Sequence, residues 1–527
     1  MKGTSLSYLR NLILPLAMTA VLPHASAVST SPEITLFAFD NHMIPHVQNL
    51  KLEMNKPEKY AGNPVVARGE TGKADDYGVQ FYGSVVRVDD KFRMWYVAID
   101  RELLNWATPQ KDFSIWRPAY AESEDGIHWT KPNLGLVEYQ GNKDNNLIKM
   151  DPGPFGIINL KVLHEPEDPN PDHRYKITTQ TWWVNADGKG GRGTLAPFYS
   201  SDGTTWKIVN GAKPVEGRMK VGDMFLPLHH YEAGSGLYNW KGIYYITGQS
   251  NSGHFQHGTT PYSGREVLIH RSTDFENWEP TAHVGFVREG QYQDFKYGEG
   301  EETHEGLSVW KRGNVLLGLS GMWHGAPDWP GRTIELGFLI SNDGLNYREP
   351  LTEWKILELG EDGEWDQGGL LQGQGFENVG NQTFIYYGAW DPRPGSAYPP
   401  RGGVGLAMLP RDRFGSLSMR EANKAAQFVT ATVDIPSQAT PRFFLNAEGL
   451  SNQATLRIEL LDEREQPIDH FAGEDAAMVS ENGFRLPITF SNPWQSHDTP
   501  RSIRFRVSFD GKSASDIALS ALYVTFE

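Results

Sequence analysis

Acidic residues stand just ahead of several aromatic-rich apolar runs in this 527-residue chain. Glu305 opens "HEGLSVWKRGNVLLGLSG", eleven residues before Leu316, and Glu232 lies in "LHHYEAGSGLYNWKG", thirteen before Tyr245. Asp366 and Gln372 lie in "WDQGGLLQGQGFENVGN", and Asp151 precedes "FGIINLKVLHE". In "ADDYGVQFYGSVV" the matching position is Tyr82 or Gly83, with Asp75 and Asp76 just upstream. Two carboxylates facing each other across a pocket suit the cleavage of a glycosidic bond. One, with a raised pKa, protonates the leaving oxygen, and the other, kept ionised, activates water or attacks carbon. Glu305 stands out because it sits between His304 and a glycine immediately before a strand-like run. His304 is then expected to orient Glu305 or to contact the substrate.

The elements that must position these acids repeat. "KFRMWYVA", "RYKITTQTW", "GIYYITG", "NVLLGLSG" and "QTFIYYGAW" are alternating β-branched and aromatic runs that read as strands. Their anchors Tyr96, Tyr175, Tyr245, Leu316 and Tyr387 are 79, 70, 71 and 71 residues apart. A second motif recurs between them: "SEDGIHW", "SSDGTTW", "STDFENW" and "SNDGLNY", carrying Asp125, Asp202, Asp274 and Asp343. Asp-Gly there makes a tight turn, so these aspartates read as structural. Five units of about 70 residues, each too small to bury both faces of a sheet alone, predict a radial stack. The fold expected is an all-β, five-bladed β-propeller over residues 28–420, followed by a C-terminal β-sandwich over 421–527. First strands of propeller blades converge on the axis, which would bring the acids above into one pocket.

"HEGLSVWKRGNVLLGLSG" is similar to the general-acid segment of five-bladed arabinanase- and xylosidase-type glycoside hydrolases (family 43), and of the related invertase type (family 32). "AGNPVV" at 61–66 is similar to their N-terminal segments. The resemblance implies that Glu305 is the general acid. It departs elsewhere: Tyr82 stands where family 43 has its catalytic aspartate, and Ala233 beside Glu232 where it has the aspartate that tunes the acid. The base or nucleophile would then be Asp76, or Asp40 of "FAFDNHM", with Glu232 and Asp366 tuning charge or binding hydroxyls. The loops "GMWHGAPDWPGR" and "GAWDPRPGSAYPPRGG" offer Trp323, Trp390 and Arg332 as a pocket wall, with Tyr82 at the channel. The alternatives are a non-catalytic carbohydrate-binding propeller, a sialidase-like enzyme suggested by the Asp-Gly turns and Tyr82, and a polysaccharide lyase.

Composition narrows the partners. Lys2, Arg10, the apolar stretch Leu12–Leu22 and Ala25-Ser26-Ala27 form a signal peptide with an expected cut after Ala27, which implies a secreted or periplasmic protein with no membrane span once processed. The net charge of −16 argues against nucleic acid, and a chain without cysteine has neither disulfides nor thiolate metal sites. Histidine spacings match no zinc pattern, and no cofactor is expected to be required. A structural Ca2+ in the channel, as some members of the resembled families have, would need no recognisable motif. The expected partner is a plant or algal poly- or oligosaccharide.

Overall fold

A computed structural model describes residues 33–99, 116–153, 156–181, 183–184, 194–215, 218–223, 225–226, 231–250, 256–257, 260–261, 265–288, 293–294, 299–326, 331–389, 401–494 and 500–527. The expected signal peptide and Trp390 lie outside these residues, and so does the side chain of Glu232. The described chain is all-β, its helical content confined to three-residue turns such as Pro171–His173.

Five largely antiparallel sheets follow one another along the chain, and three of them take in a strand from elsewhere: Arg401–Gly402 pairs in parallel with Gly78–Val88 of the first, Lys149–Asp151 in parallel with Thr205–Ile208 of the second, and Glu58–Lys59 antiparallel with Val404–Pro410 of the fifth. Sheet 1 holds Gly78–Val88, Lys91–Ile99 and Trp116–Ser123, and sheet 2 holds Lys161–His164, Tyr175–Thr181, Thr194–Ser200 and Thr205–Ile208. Sheet 3 holds Tyr231–Trp240, Ile243–Ser250, Val267–Ser272 and His283–Phe286. Sheet 4 holds Glu299–Arg312, Val315–Gly325, Thr333–Ser341 and Lys355–Leu357. Sheet 5 holds Leu370–Leu371, Phe376–Val379, Gln382–Ala389 and Val404–Pro410.

The first strands of these sheets touch one another. The Gln374 backbone N–H of sheet 5 donates to Gly83 O of sheet 1 (2.9 Å), and its side chain brackets both backbone groups of Leu237 in sheet 3 (2.9 and 2.8 Å). Leu160 N, leading into sheet 2, donates to Tyr82 O of sheet 1 at 3.0 Å. Thr247 of sheet 3 donates to Leu307 O of sheet 4 at 2.5 Å. The sheets therefore surround a common centre in a propeller-like arrangement.

The Ser-x-Asp turns latch the periphery. In each, the serine hydroxyl meets the aspartate (3.0–3.1 Å) and one carboxylate oxygen accepts two backbone N–H groups, as Asp202 does from Thr204 (2.7 Å) and Thr205 (2.8 Å). An aromatic side chain of the preceding sheet then donates to a carbonyl of the turn. Tyr386 of sheet 5 reaches Gly126 O (2.7 Å), Trp95 of sheet 1 reaches Gly203 O (2.7 Å), and Tyr238 of sheet 3 reaches Gly344 O (2.8 Å). Buried carbonyls are thereby satisfied across the seams rather than within one sheet.

Two six-stranded sheets complete the chain and share one core that includes Leu36, Phe428, Leu445, Leu456, Phe505 and Leu522. The division expected at residue 420 is not where the pairing divides. Ile34–Phe37 pairs with Ala518–Phe526, His46–Gln48 with Ala426–Val429, and Leu50–Met54 with Gly415–Met419. Strands at the start of the described chain thus complete sheets at its end, because hydrogen-bonded edges are filled without regard to distance along the sequence. No helix among the described residues is long and apolar enough to cross a membrane.

Candidate active site

At the centre, the first strands lose regular pairing at matching heights: between Gln80 and Ser84 in sheet 1, Ala233 and Gly236 in sheet 3, and His304 and Leu307 in sheet 4. Such bulges re-aim side chains. In sheet 4 the bulge consists of Glu305 at φ 59° and Gly306 at φ 81°. A left-handed glutamate is uncommon, and such a conformation persists where its surroundings enforce it.

Here they do. Glu305 N–H donates to Gln249 Oε1 of sheet 3 at 2.7 Å. Gln372 of sheet 5 sends its amide to the carbonyls on either side, His304 O at 2.5 Å and Gly306 O at 3.3 Å. Gly306 must be glycine on a second count, since a Cβ there would lie 2.8–2.9 Å from the backbone of Gly248. Glu305 itself is buried.

Around it the structure gathers several residues expected from the sequence. The His304 ring stacks on Trp323 with centroids 5.3 Å apart, and the Tyr82 ring lies 6.4 Å from His304. Arg265, which the sequence did not single out, donates to His304 Nδ1 at 2.6 Å and covers Trp323 with its guanidinium carbon 4.8 Å from the ring centroid. Arginine has only donors, so Nδ1 is the acceptor in this contact. Trp323 is a buried floor beneath His304 and Arg265 rather than an open face. Glu302, wholly buried, accepts from the Arg265 backbone N–H at 2.9 Å; burial pushes its carboxyl up, and the Arg265 guanidinium opposes this.

Below the bulge lies Lys161 of sheet 2, fully buried, with Nζ 3.2 Å from each of Gly83 O and Gln372 O and 6.0 Å from the Tyr82 ring centroid. Burial drives its ammonium pKa well below the ordinary lysine value, and the charge of Glu305 opposes that shift. The sequence signal for it was a single lysine inside the apolar run "IINLKVL".

Other expected residues are placed elsewhere. Asp40 is locked at the far end of sheet 4, accepting from Arg348 (2.6 Å), Asn342 (2.8 Å) and the His42 backbone N–H (3.1 Å). Asp366 accepts from Lys59 (2.7 Å) and the Tyr387 hydroxyl (2.9 Å) inside sheet 5. Sheet 1 repeats this arrangement with Asp75, which accepts from Lys131 (2.5 Å) and Tyr96 (2.8 Å). Asp366 is therefore half of a recurring buried Lys–Asp–Tyr brace, not a side chain offered to a ligand. Asp76 accepts from Gly72 N–H at 2.8 Å, and Gln367 does the same for Gly363 N–H at 2.8 Å in sheet 5, so that turn needs an acceptor rather than a charge. Arg332 donates to Ala326 O at 2.9 Å within its own loop. The backbone of Glu232 pairs with Gln249, the residue that holds Glu305 N–H. No cluster of three or more potential metal ligands occurs among the described residues.

No family model and no curated protein matches the chain. Among solved structures it is similar to an N-acetylgalactosamine deacetylase from F. plautii in complex with blood group B trisaccharide, at 18% identity and TM-score 0.44, over 68% of this chain and 96% of that one. It is also similar to a protein of the GH130 family of mannoside phosphorylases, described as containing glycoside hydrolases that target β-1,2 mannosidic linkages in Candida mannan, at 14% identity and TM-score 0.42, over 68% and 95%. A third is a glycosyl hydrolase from Bacteroides ovatus, at 14% identity and TM-score 0.41, over 70% and 98%.

Proposed function

We propose that the chain is a secreted or periplasmic enzyme that cleaves glycosidic bonds, built as a five-bladed β-propeller with a C-terminal β-sandwich and using Glu305 as its general acid. The observation that carries this reading is the enforced left-handed conformation of buried Glu305, fixed by amides from two neighbouring sheets. Nothing in the packing of a β-strand asks for a glutamate there. A carboxyl carried on backbone fixed in this way, next to His304, suits proton delivery to a leaving oxygen. His304, adjacent to Glu305 and beside the Tyr82 ring, is suited to contact a hydroxyl of the bound sugar.

A second carboxylate completes the chemistry, and we assign it to Glu232, whose backbone lies opposite Gln249. This replaces Asp76 and Asp40 in that role. The substrate class is a poly- or oligosaccharide, and the test is a screen of purified protein against plant and algal polysaccharides with reducing-end detection. Glu305→Gln is expected to lower turnover by about 10²–10⁴-fold with the fold retained by circular dichroism. Full activity in that variant refutes the assignment, and saturable binding of a polysaccharide without cleavage by the wild type supports a binding propeller instead.

A further inference from the structure

We infer that Arg265 is a positioning residue for His304: its guanidinium holds the imidazole next to Glu305 in one orientation and in its neutral form. The consequence for turnover rests on the reading of Glu305 as the reacting acid; the state of His304 does not. Arg265 lies two residues ahead of Val267–Ser272 in sheet 3, and three consecutive residues of sheet 4 hold it. Its backbone N–H donates to Glu302 Oε2 at 2.9 Å, its carbonyl accepts from the Thr303 hydroxyl at 3.2 Å, and its Nη1 donates to His304 Nδ1 at 2.6 Å. The guanidinium carbon lies 4.8 Å from the centroid of the Trp323 ring, on which the His304 ring also stacks. Closing the seam between sheets 3 and 4 needs only the two backbone bonds. The third contact places a cation on a base.

A guanidinium has no acceptor and an imidazolium has none either, so this bond exists only while Nδ1 carries no proton. Protonating His304 would break it and set two cations at contact distance. Other titratable or charged groups around His304, among the described residues, are Glu302 and Glu305 on its own strand and Tyr82 from sheet 1, its ring 6.4 Å away. Sheet 5 contributes Gln372, a neutral amide on the His304 carbonyl, whose own carbonyl meets Lys161 of sheet 2. Arg288, just after sheet 3, is paired with Glu301 and Glu353. Glu302 is wholly buried with Oε2 3.6 Å from Arg265 Nε, which matches its charge to the arginine. The carboxylates favour an imidazolium, and the guanidinium bonded to Nδ1 opposes them. The balance matters to the neighbouring acid, because an imidazolium there would favour the ionised carboxylate and strip the proton that the leaving oxygen needs.

The first test needs no substrate. In protein labelled at histidine, the His304 ring signal is identified by its loss in His304→Gln and followed by NMR from about pH 5 to about pH 8. In the wild type this ring is expected not to titrate across the range. In Arg265→Met it is expected to titrate with a midpoint at or above about 6.5. A wild-type ring that titrates within the range overturns the inference. So does a ring that stays silent in both proteins, since something other than Arg265 then holds it neutral. Should Arg265→Met fail to fold by circular dichroism, Arg265→Gln takes its place with the same expectations, its amide removing the charge while keeping a group that can donate or accept.

The second test uses whichever panel polysaccharide the wild type cleaves. Arg265→Met is expected to lower kcat by about 10–10²-fold, with the loss deepest on the acid side, where His304 gains its charge. Arg265→Lys, which keeps a charged donor, is expected to recover part of that loss. A loss uniform in pH makes the arginine structural only, and a change confined to KM makes it a substrate contact; either overturns the inference. If no polysaccharide is cleaved, the proposed function falls while the titration still decides the hold on His304. If cleavage depends on Glu305 but Arg265→Met leaves the His304 titration unchanged, the function stands and the role of Arg265 falls.

Discussion

At the level of single residues, the site depends on backbone conformation as much as on side-chain chemistry. Glu305 and Gly306 both occupy the left-handed region, and Gly306 also faces the Gly248 backbone of sheet 3. Gly306→Ala is therefore expected to lower stability by more than the roughly 1–2 kcal/mol of the conformation alone, because the methyl group meets backbone that cannot yield. Denaturant unfolding measures this, and a loss below about 0.5 kcal/mol contradicts the close approach of sheets 3 and 4. Gln372 acts differently, since its amide holds the bulge without entering the chemistry. Gln372→Ala is expected to lower kcat more than it raises KM, as the acid loses its fixed angle while the aromatic wall stays; a change confined to KM contradicts that role.

At the level of the elements, the Ser-x-Asp turns and the Lys–Asp–Tyr braces are repeated solutions to one problem, the satisfaction of buried polar groups at a seam between sheets. Burial pushes Asp343 up, but bonds from Asn346, from the backbone of Asn346 and Leu345, and from Ser341 outweigh it and bring the carboxyl down to about 2. The sign follows from that direction. A depressed carboxyl stabilises the fold above its unfolded value, and the contribution disappears as pH falls through the folded one. Asp343→Asn is expected to lower the melting temperature at neutral pH, to converge on the wild type as pH approaches about 2, and to leave cleavage unaffected. A melting deficit that persists unchanged in acid removes the carboxylate from the account. These turns were legible in the sequence because the serine, aspartate and backbone groups that shape them lie within seven residues of chain. The braces were not, because Lys59 and Asp366 are 307 positions apart.

At the level of the whole molecule, the two six-stranded sheets are not an appendage. Asp412 accepts from Arg312 of sheet 4 at 2.9 and 2.5 Å and from the Tyr523 hydroxyl at 3.0 Å, tying sheet 4, the end of sheet 5 and the last strand of the chain together. One apolar cluster runs through Phe37, Phe39, Leu317, Leu336, Tyr387 and Tyr523, crossing the same boundary. A fragment ending at residue 420 strips Ala521 and Tyr523 from this cluster and leaves strands 34–37 and 46–48 without sheets. That fragment is expected to aggregate or to melt well below the full chain. A soluble fragment with the melting temperature of the full chain shows instead that the five sheets stand alone.

The amino-acid sequence by itself determined the features that depend on near neighbours: alternating strands, Asp-Gly turns, a repeat of about 70 residues and a glutamate–glycine step at a strand entry. Periodicity and turn chemistry act over a few residues, so they can be read from the chain alone. Only the tertiary structure decided which acids are claimed by partners of their own. Asp40, Asp76 and Asp366 resemble Glu305 in sequence setting, yet Arg348, the turn at Gly72 and Lys59 claim them. It also decided that Gln249 and Gln372 meet around the Glu305 backbone, with Lys161 on the carbonyl of Gln372. The reason is that a buried charge takes its partner from whichever strand packs against it, and packing is a property of the closed ring of sheets.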